Sequence, residues 1–310
     1  MKEQPELLAI VGPTASGKTA CAVAFCRIIN GEVVSADSMQ IYRGMDILTA
    51  KPDTDEMGGI VHHMIGFADP AEKYTASMYR ERAKEIIEEI RSRKKYPVLC
   101  GGTGLYVNAL TRPMSFSQRS DEILHQSLMS IADEPGGLDR LHRMLEEVDP
   151  ESARRLHRND VRRVVRALEI FQITGVTQTE QNRLDAQRDG DYSGVIFALE
   201  WPRDVLYERI SQRVDEMIER GLIDEVRRLM LDEKQFPTAA QAIGYKEIAR
   251  AIIGGRSLKD AVEQVKQATK AYAKRQMTWF RNDPRTKWIS AIGKSSEEIA
   301  QEIFIQWKNQ

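Results

Sequence analysis

The chain has 310 residues, 42% of them hydrophobic and 29% charged, with a formal net charge of -1. That length suits one large core with a smaller domain, and the composition is that of a soluble globular protein. No apolar run approaches the ~20 residues of a membrane span, so a membrane-spanning helix is excluded, while near-neutrality argues nothing for or against nucleic acid.

The opening residues, 1–6, carry no apolar leader core and run straight into a predicted strand at 7–11. Directly after it stand Gly12, Pro13, Thr14, Ala15, Ser16, Gly17, Lys18 and Thr19, followed by a helical stretch at 18–29. Glycine, four residues, glycine, lysine and a hydroxyl residue form the phosphate-loop pattern. Its context is the required one, with a buried strand, a tight turn and a helix N-terminus aimed at an anion. The backbone N–H groups form a nest for oxygen anions, Lys18 adds charge, and the Thr19 hydroxyl is offered to Mg2+. The motif implies a bound di- or triphosphate without saying which.

A second strand at 32–36 ends in Ser35-Ala36-Asp37-Ser38, and a helix follows at 76–91. The strand at 97–100 ends in Gly101-Gly102-Thr103-Gly104. Residues 112–190 show helical periodicity without a strand and are broken by turn signals at 134–137, 149–150 and 174–175. Strands return at 195–199 and 287–290. Between them, a helix after Pro202 turns Leu206, Ile210, Val214, Met217 and Ile218 inward and is closed by Gly221, with Arg209, Arg213 and Arg220 on its other side. A long helix at 258–281 carries Lys266, Lys270 and Lys274 in one line. Strands alternating with helices give an α/β fold. The expectation is a P-loop NTPase-like parallel sheet flanked by helices (1–111 and 191–310), with an inserted all-helical domain (112–190). Ligands bind such sheets at the carboxyl ends of the strands.

Three cysteines, Cys21, Cys26 and Cys100, match no zinc spacing and sit among apolar residues. They read as buried thiols of a reducing, cytoplasmic compartment. His62 and His63 lack a third ligand at metal spacing and read as structural. Two stretches, 154–166 and 266–287, concentrate Arg and Lys. They fit either a localised polyanion surface or solvated helix faces. Common phosphate-loop NTPases place an acid at the end of a later strand, but here that place is taken by Gly101. Asp37 is the acid that a strand end delivers, with general base, water-mediated magnesium holder and turn cap as its open roles.

The phosphate loop is joined by Ser-Ala-Asp-Ser-Met-Gln-Ile-Tyr-Arg-Gly-Met-Asp-Ile at 35–47, Thr-Ala-Lys-Pro at 49–52, Gly-Gly-Thr-Gly-Leu-Tyr at 101–106 and Lys-Arg-Gln-Met-Thr-Trp-Phe-Arg at 274–281. This set resembles the bacterial tRNA dimethylallyltransferases, or tRNA isopentenyltransferases, nearly end to end. The resemblance implies transfer of a dimethylallyl group from dimethylallyl diphosphate to the N6 amine of the adenosine just 3′ of the anticodon. The tRNAs concerned read codons beginning with U. In that reading residues 12–19 hold the diphosphate with Mg2+ on Thr19, Arg213 matches a family arginine that clamps it, Asp37 is the base, and Thr103 contacts the target nucleotide. By motif match, tRNA contacts fall on Asp37, Ser38, Met39, Gln40 and Thr103, on Asn159, Asp160, Val161, Arg162 and Arg163, on Ala240, Gln241, Ala242, Ile243, Gly244 and Tyr245, and on Lys274, Arg275, Gln276 and Arg281. Gln126 is assigned a similar part in the insertion. Trp279, Phe280 and Tyr245 are candidates to stack on unpaired bases or to fill the core. The partner is thus a tRNA anticodon stem-loop, which a monomer suffices to serve.

One departure is visible. Family members often carry an acid two residues after His62-His63-Met64, where this chain has Ile65-Gly66-Phe67. The zinc-finger extension of some eukaryotic relatives is not expected, as no cysteine follows Cys100. The competing readings are a prenyltransferase acting on free adenine nucleotides, a phosphate-loop small-molecule kinase, and an RNA-binding module with a vestigial loop.

Overall fold

A computed structural model describes residues 6–115, 121–231, 236 and 238–309. The opening segment discussed above lies, up to residue 5, outside the described residues. The chain divides into two compact units, residues 1–111 with 191–310, and residues 112–190.

The first unit is built on one sheet. Its strands are β1 (Glu6–Val11), β2 (Gly31–Ser35), β3 (His62–His63), β4 (Tyr96–Gly101), β5 (Ser193–Glu200) and β6 (Thr286–Ser290), in the order β3-β2-β4-β1-β5-β6. Every pairing is parallel. Parallel neighbours need crossovers, and crossovers cover both faces with helices. Leu8 and Ile10 pack with Phe25, Cys26, Ile299 and Ile303 of the Lys18–Ile29 and Ser296–Lys308 helices. Leu7, Ala9 and Val11 face the opposite way, toward Tyr79, Ile87, Tyr106 and Phe280. Those side chains come from the Ala76–Ser92, Gly104–Thr111 and Leu258–Arg281 helices. The period-2 alternation of a strand thus becomes two cores, one on each side.

β1 and β4 are neighbours, but the chain leaves them in opposite directions. After β1 it goes to β2, beyond β4, and after β4 it goes to β5, beyond β1. Such a switch point opens a crevice at the carboxyl ends, where ligands bind in open α/β sheets. A third apolar cluster, including Ile41, Leu48, Val214, Ala242 and Val265, builds further wall around that crevice. Its loop is held by the buried carboxylate of Glu225, which accepts the backbone N–H groups of Asp46, Ile47 and Leu48 at 3.0, 3.0 and 2.7 Å.

The second unit is helical. Its helices Glu122–Ala132, Gly137–Val148, Pro150–Arg155, Val161–Thr174 and Gln178–Ala186 surround a core that includes Leu128, Leu141, Leu145, Val165 and Leu168. Gly175 caps the Val161–Thr174 helix in the left-handed region, where glycine carries no Cβ penalty.

Two features differ from the sequence expectations. β3 has only two residues, too few to show a period. The lysine line of the long helix is also broken. Lys266 is drawn into ion pairs with Asp215 at 2.7 Å and Glu263 at 3.2 Å and leaves only 13% of its side chain exposed, so it offers no free charge to a partner. Among the described residues no helix is long and apolar enough to cross a membrane.

Candidate active site

The crevice holds a cavity of about 300 Å³. Thr14, Ser16, Gly17, Lys18 and Thr19 line one part of it, with Asp37 and Arg213 beside them. Leu48, Ile210, Val214, Met217, Ile243 and Val265 line another part. One chamber therefore joins an anion-binding wall to an apolar wall. A second polar recess, of about 280 Å³, shares Gly17, Thr19, Ala50 and Arg213 with it.

The loop owes its shape to partners far away in sequence. Trp201, just past β5, donates its indole N–H to the Ser16 carbonyl at 2.9 Å. Arg209 donates from Nε to the Ala15 carbonyl at 2.9 Å and stacks over the Trp201 ring at 4.4 Å. Gln276, only 4% exposed, accepts the Thr14 N–H at 3.0 Å and donates to the Gly102 carbonyl at 3.0 Å. One amide thereby ties the β1 loop to the β4 loop. Both its ends are consumed inside the protein, so Gln276 braces the site rather than reaching out to RNA. Gln40 is placed alike, accepting from the Ser35 hydroxyl at 3.3 Å and donating to the Thr49 and Ala50 carbonyls at 3.4 and 3.1 Å.

Lys18 donates to the Pro13 carbonyl at 3.2 Å. Burial pushes its ammonium pKa below the usual lysine range, with Arg213 adding to the effect and Cys100 and Asp37 opposing it. A buried cation with so little compensation favours an incoming anion. Arg213 lines the cavity beside the phosphate loop and reaches the Ala50 carbonyl at 3.4 Å.

Asp37 does two things at once. Its Oδ1 accepts the N–H groups of Met39 at 2.9 Å and Gln40 at 3.4 Å, which is the capping role. Its Oδ2 makes no hydrogen bond among the described residues, and Asp37 is part of the cavity wall. Thr103 accepts the Ser38 N–H at 3.0 Å and contacts the Ser38 hydroxyl at 3.3 Å. Asp37 and Thr103 are thus locked to one turn. Tyr272 lines the cavity as well. Burial, then the charge of Asp37, pushes its hydroxyl up to about 12, so it stays protonated and able to donate.

The glycines around Thr103 clear space for protein rather than for a ligand. A Cβ on Gly101 would lie 2.2 Å from the Ala36 carbonyl oxygen. On Gly102 it would meet the Gln276 amide at 2.0 Å, and on Gly104 the Trp279 ring at 2.1 Å.

Other candidate residues are scattered. Gln241, Ala242, Ile243 and Arg275 line the cavity. Gly244 donates its N–H to Glu247 at the start of a helix, and Tyr245 packs edge-on to Phe236. Phe280 is fully buried, whereas Trp279 is 37% exposed. Lys274 is exposed, and Arg281 is exposed but pairs with Glu200 at 3.3 Å. In the helical unit Gln126, Asn159, Arg162 and Arg163 are exposed, and Asp160 pairs with Arg163 at 3.2 Å at the head of the helix that Val161 begins. Sequence reasoning missed Trp201, Arg209 and Tyr272, whose roles depend on contacts across the fold.

The chain is similar to known proteins over nearly its whole length. The family model described as IPP transferase matches residues 40–283. A tRNA dimethylallyltransferase of Carboxydothermus hydrogenoformans is 41% identical over 97% of each chain. That of Geobacillus thermodenitrificans is 45% identical over 96% of this chain and 95% of its own. Among solved structures, the tRNA isopentenylpyrophosphate transferase of Bacillus halodurans superposes with a TM-score of 0.72 at 41% identity, covering 98% of this chain and 97% of its own. A eukaryotic dimethylallyltransferase studied acting on tRNA gives 0.78 at 28% identity, covering 97% of this chain and 80% of its own.

Proposed function

The chain belongs to the IPP transferase family, and on that premise we propose how its residues carry out dimethylallyl transfer. It is a tRNA dimethylallyltransferase. The donor in this reading is dimethylallyl diphosphate. The acceptor is the N6 amine of adenosine 37, adjacent to the anticodon, in tRNAs reading codons that begin with U. The observation that carries the reading is the two-walled cavity, anion-binding on one side and apolar on the other, with Asp37 in its lining.

The diphosphate rests in the 12–19 loop, where N–H groups, Lys18 and Arg213 face it. The five-carbon group lies against Leu48, Ile210, Val214 and Ile243. As the allylic C1–O bond breaks, the diphosphate leaves with the electron pair, and Lys18 and Arg213 offset its growing charge. The N6–C1 bond forms, and the proton released from N6 passes to Oδ2 of Asp37. The amine needs that help because its lone pair is delocalised into the adenine ring. Thr103 and Tyr272 supply hydroxyls for holding the base.

The residues present suit a magnesium ion. The Thr19 hydroxyl sits in the first turn of its helix beside the anion nest, and Asp37 shares a small cavity wall with it. Bound there on Thr19 and the diphosphate, Mg2+ would neutralise charge on the leaving group. The target adenosine must leave its stack to enter, so RNA contacts surround the site. Within the sheet-bearing unit, exposed Lys274 and Arg275 are cations free to hold loop phosphates. All catalytic groups belong to one chain, so a monomer suffices, and three free buried thiols suit the reducing cytoplasm.

Titration calorimetry tests the donor assignment. Dimethylallyl diphosphate is expected to bind at least about tenfold tighter than methyl diphosphate, because burying each extra carbon is worth up to ~0.8 kcal/mol. Equal affinity, or tighter binding of ATP followed by its turnover, would return the chain to the kinase reading.

A further inference from the structure

β3 sends neighbouring side chains in opposite directions. His63 meets Glu32 at 2.7 Å, and Arg93 and Lys95 hold the same carboxylate at 2.7 and 2.9 Å. That cluster explains His63 fully as a structural residue. His62 is different. Its Nδ1 lies 2.9 Å from the Ile60 carbonyl, an acceptor, so Nδ1 carries the proton and donates it. Nε2 is then a bare lone pair. It is buried and makes no hydrogen bond among the described residues. An unmatched buried acceptor costs stability and calls for an explanation.

The explanation lies beside it. His62 is part of the wall of a small cavity of about 20 Å³, together with Lys18, Thr19, Ser35, Asp37 and Gln40. That volume suits a single water, which needs roughly 10–15 Å³ of this measure and two to four polar partners. Ser35 and Gln40 are already bonded to each other and to the backbone, so they offer little. What remains is an imidazole nitrogen and a carboxylate, both acceptors, with the Lys18 ammonium and the hydroxyl expected to hold a cation in the same wall. A water bound to a cation directs both its protons outward and suits two acceptors.

We infer that His62 is a positioning residue whose Nε2 accepts a hydrogen bond from a water of the magnesium ion held by Thr19 and the diphosphate. Burial lowers the pKa of this imidazole, which keeps it in the neutral, accepting form. The inference rests on the magnesium assignment in the proposed function. It gives His62 a part that β3 alone does not require.

The test uses Mn2+ as a spin-active stand-in for magnesium and inorganic pyrophosphate as the diphosphate, with the full chain. Electron paramagnetic resonance reads bound against free Mn2+. His62→Leu is expected to weaken Mn2+ binding in the presence of pyrophosphate by about tenfold, the usual scale for losing an outer-sphere partner. His62→Gln places an amide oxygen near the lost nitrogen and is expected to recover most of that affinity. Circular dichroism on each variant reads folding separately. A folded His62→Leu chain that binds Mn2+ like the wild type overturns the inference, and so does a His62→Gln chain as weak as the leucine variant. If pyrophosphate fails to promote Mn2+ binding in the wild type, and Thr19→Ala changes nothing, the magnesium assignment fails and takes the role of His62 with it.

Discussion

Replacing Asp37 by alanine is expected to lower the transfer rate by about 10²- to 10⁴-fold, the usual worth of a positioned general base. Affinity for tRNA should be nearly unchanged. Alanine removes two things, because Oδ1 caps the turn through Met39 and Gln40 while Oδ2 is free for the amine proton. Losing the cap costs about 1 kcal/mol. Asp37→Asn separates the roles, since its amide oxygen keeps the cap but cannot take the proton at neutral pH. The asparagine variant should therefore melt like the wild type and turn over as slowly as the alanine variant. Single-turnover kinetics with saturating tRNA and a thermal melt read the two effects. A near-normal rate in either variant would sink the base assignment.

Gly101→Ala is expected to be strongly destabilising. Its Cβ would lie 2.2 Å from the oxygen and 2.3 Å from the carbon of the Ala36 carbonyl. Backbone cannot swing aside as a side chain can, so β2 and β4 must separate. Overpacking typically costs 1–3 kcal/mol, and about 3 is expected here because no rotamer relieves it. The same carbonyl accepts the Thr103 N–H at 3.0 Å, and Ala36 donates to the Cys100 carbonyl at 2.8 Å. Separation therefore displaces Asp37 and Thr103 together. Activity should fall even at temperatures where the chain remains folded. Urea unfolding with parallel activity assays measures both, and wild-type stability with wild-type rate would contradict the close approach.

The contrast between these two residues shows what sequence could carry. Asp37 was legible because its neighbours along the chain announce a strand end beside a phosphate loop, and the local pattern is short-range chemistry. The Leu258–Arg281 helix was legible for the same reason, through apolar residues at helical spacing. The purpose of Gly101, Gly102 and Gly104 was not. Three glycines around a threonine do not announce what occupies the space beside them, which is Ala36, Gln276 and Trp279.

Gln276 marks the same limit. Its motif suggested an RNA contact, yet its amide bonds Thr14, 262 positions away, and the Gly102 carbonyl. Trp201 and Arg209 brace the phosphate loop from nearly as far. Nothing local in those residues signals the bond, since the partner comes near only after the parallel sheet has formed. Lys266 shows the converse case. A cationic line drawn by helical spacing lost one member because Asp215, on another helix, faces it.

The central claim is that the cavity at the β1–β4 switch point moves a prenyl group to RNA. The measurement that meets it most directly offers the chain labelled dimethylallyl diphosphate and unmodified tRNA with magnesium. Reactions with γ-labelled ATP run in parallel, and free AMP is present as a competing acceptor. Label should enter tRNA, stop at about one group per molecule of substrate tRNA as expected for a single acceptor amine, and leave both AMP and ATP untouched. Label found in AMP alone, or ATP consumed without prenyl transfer, would contradict the account.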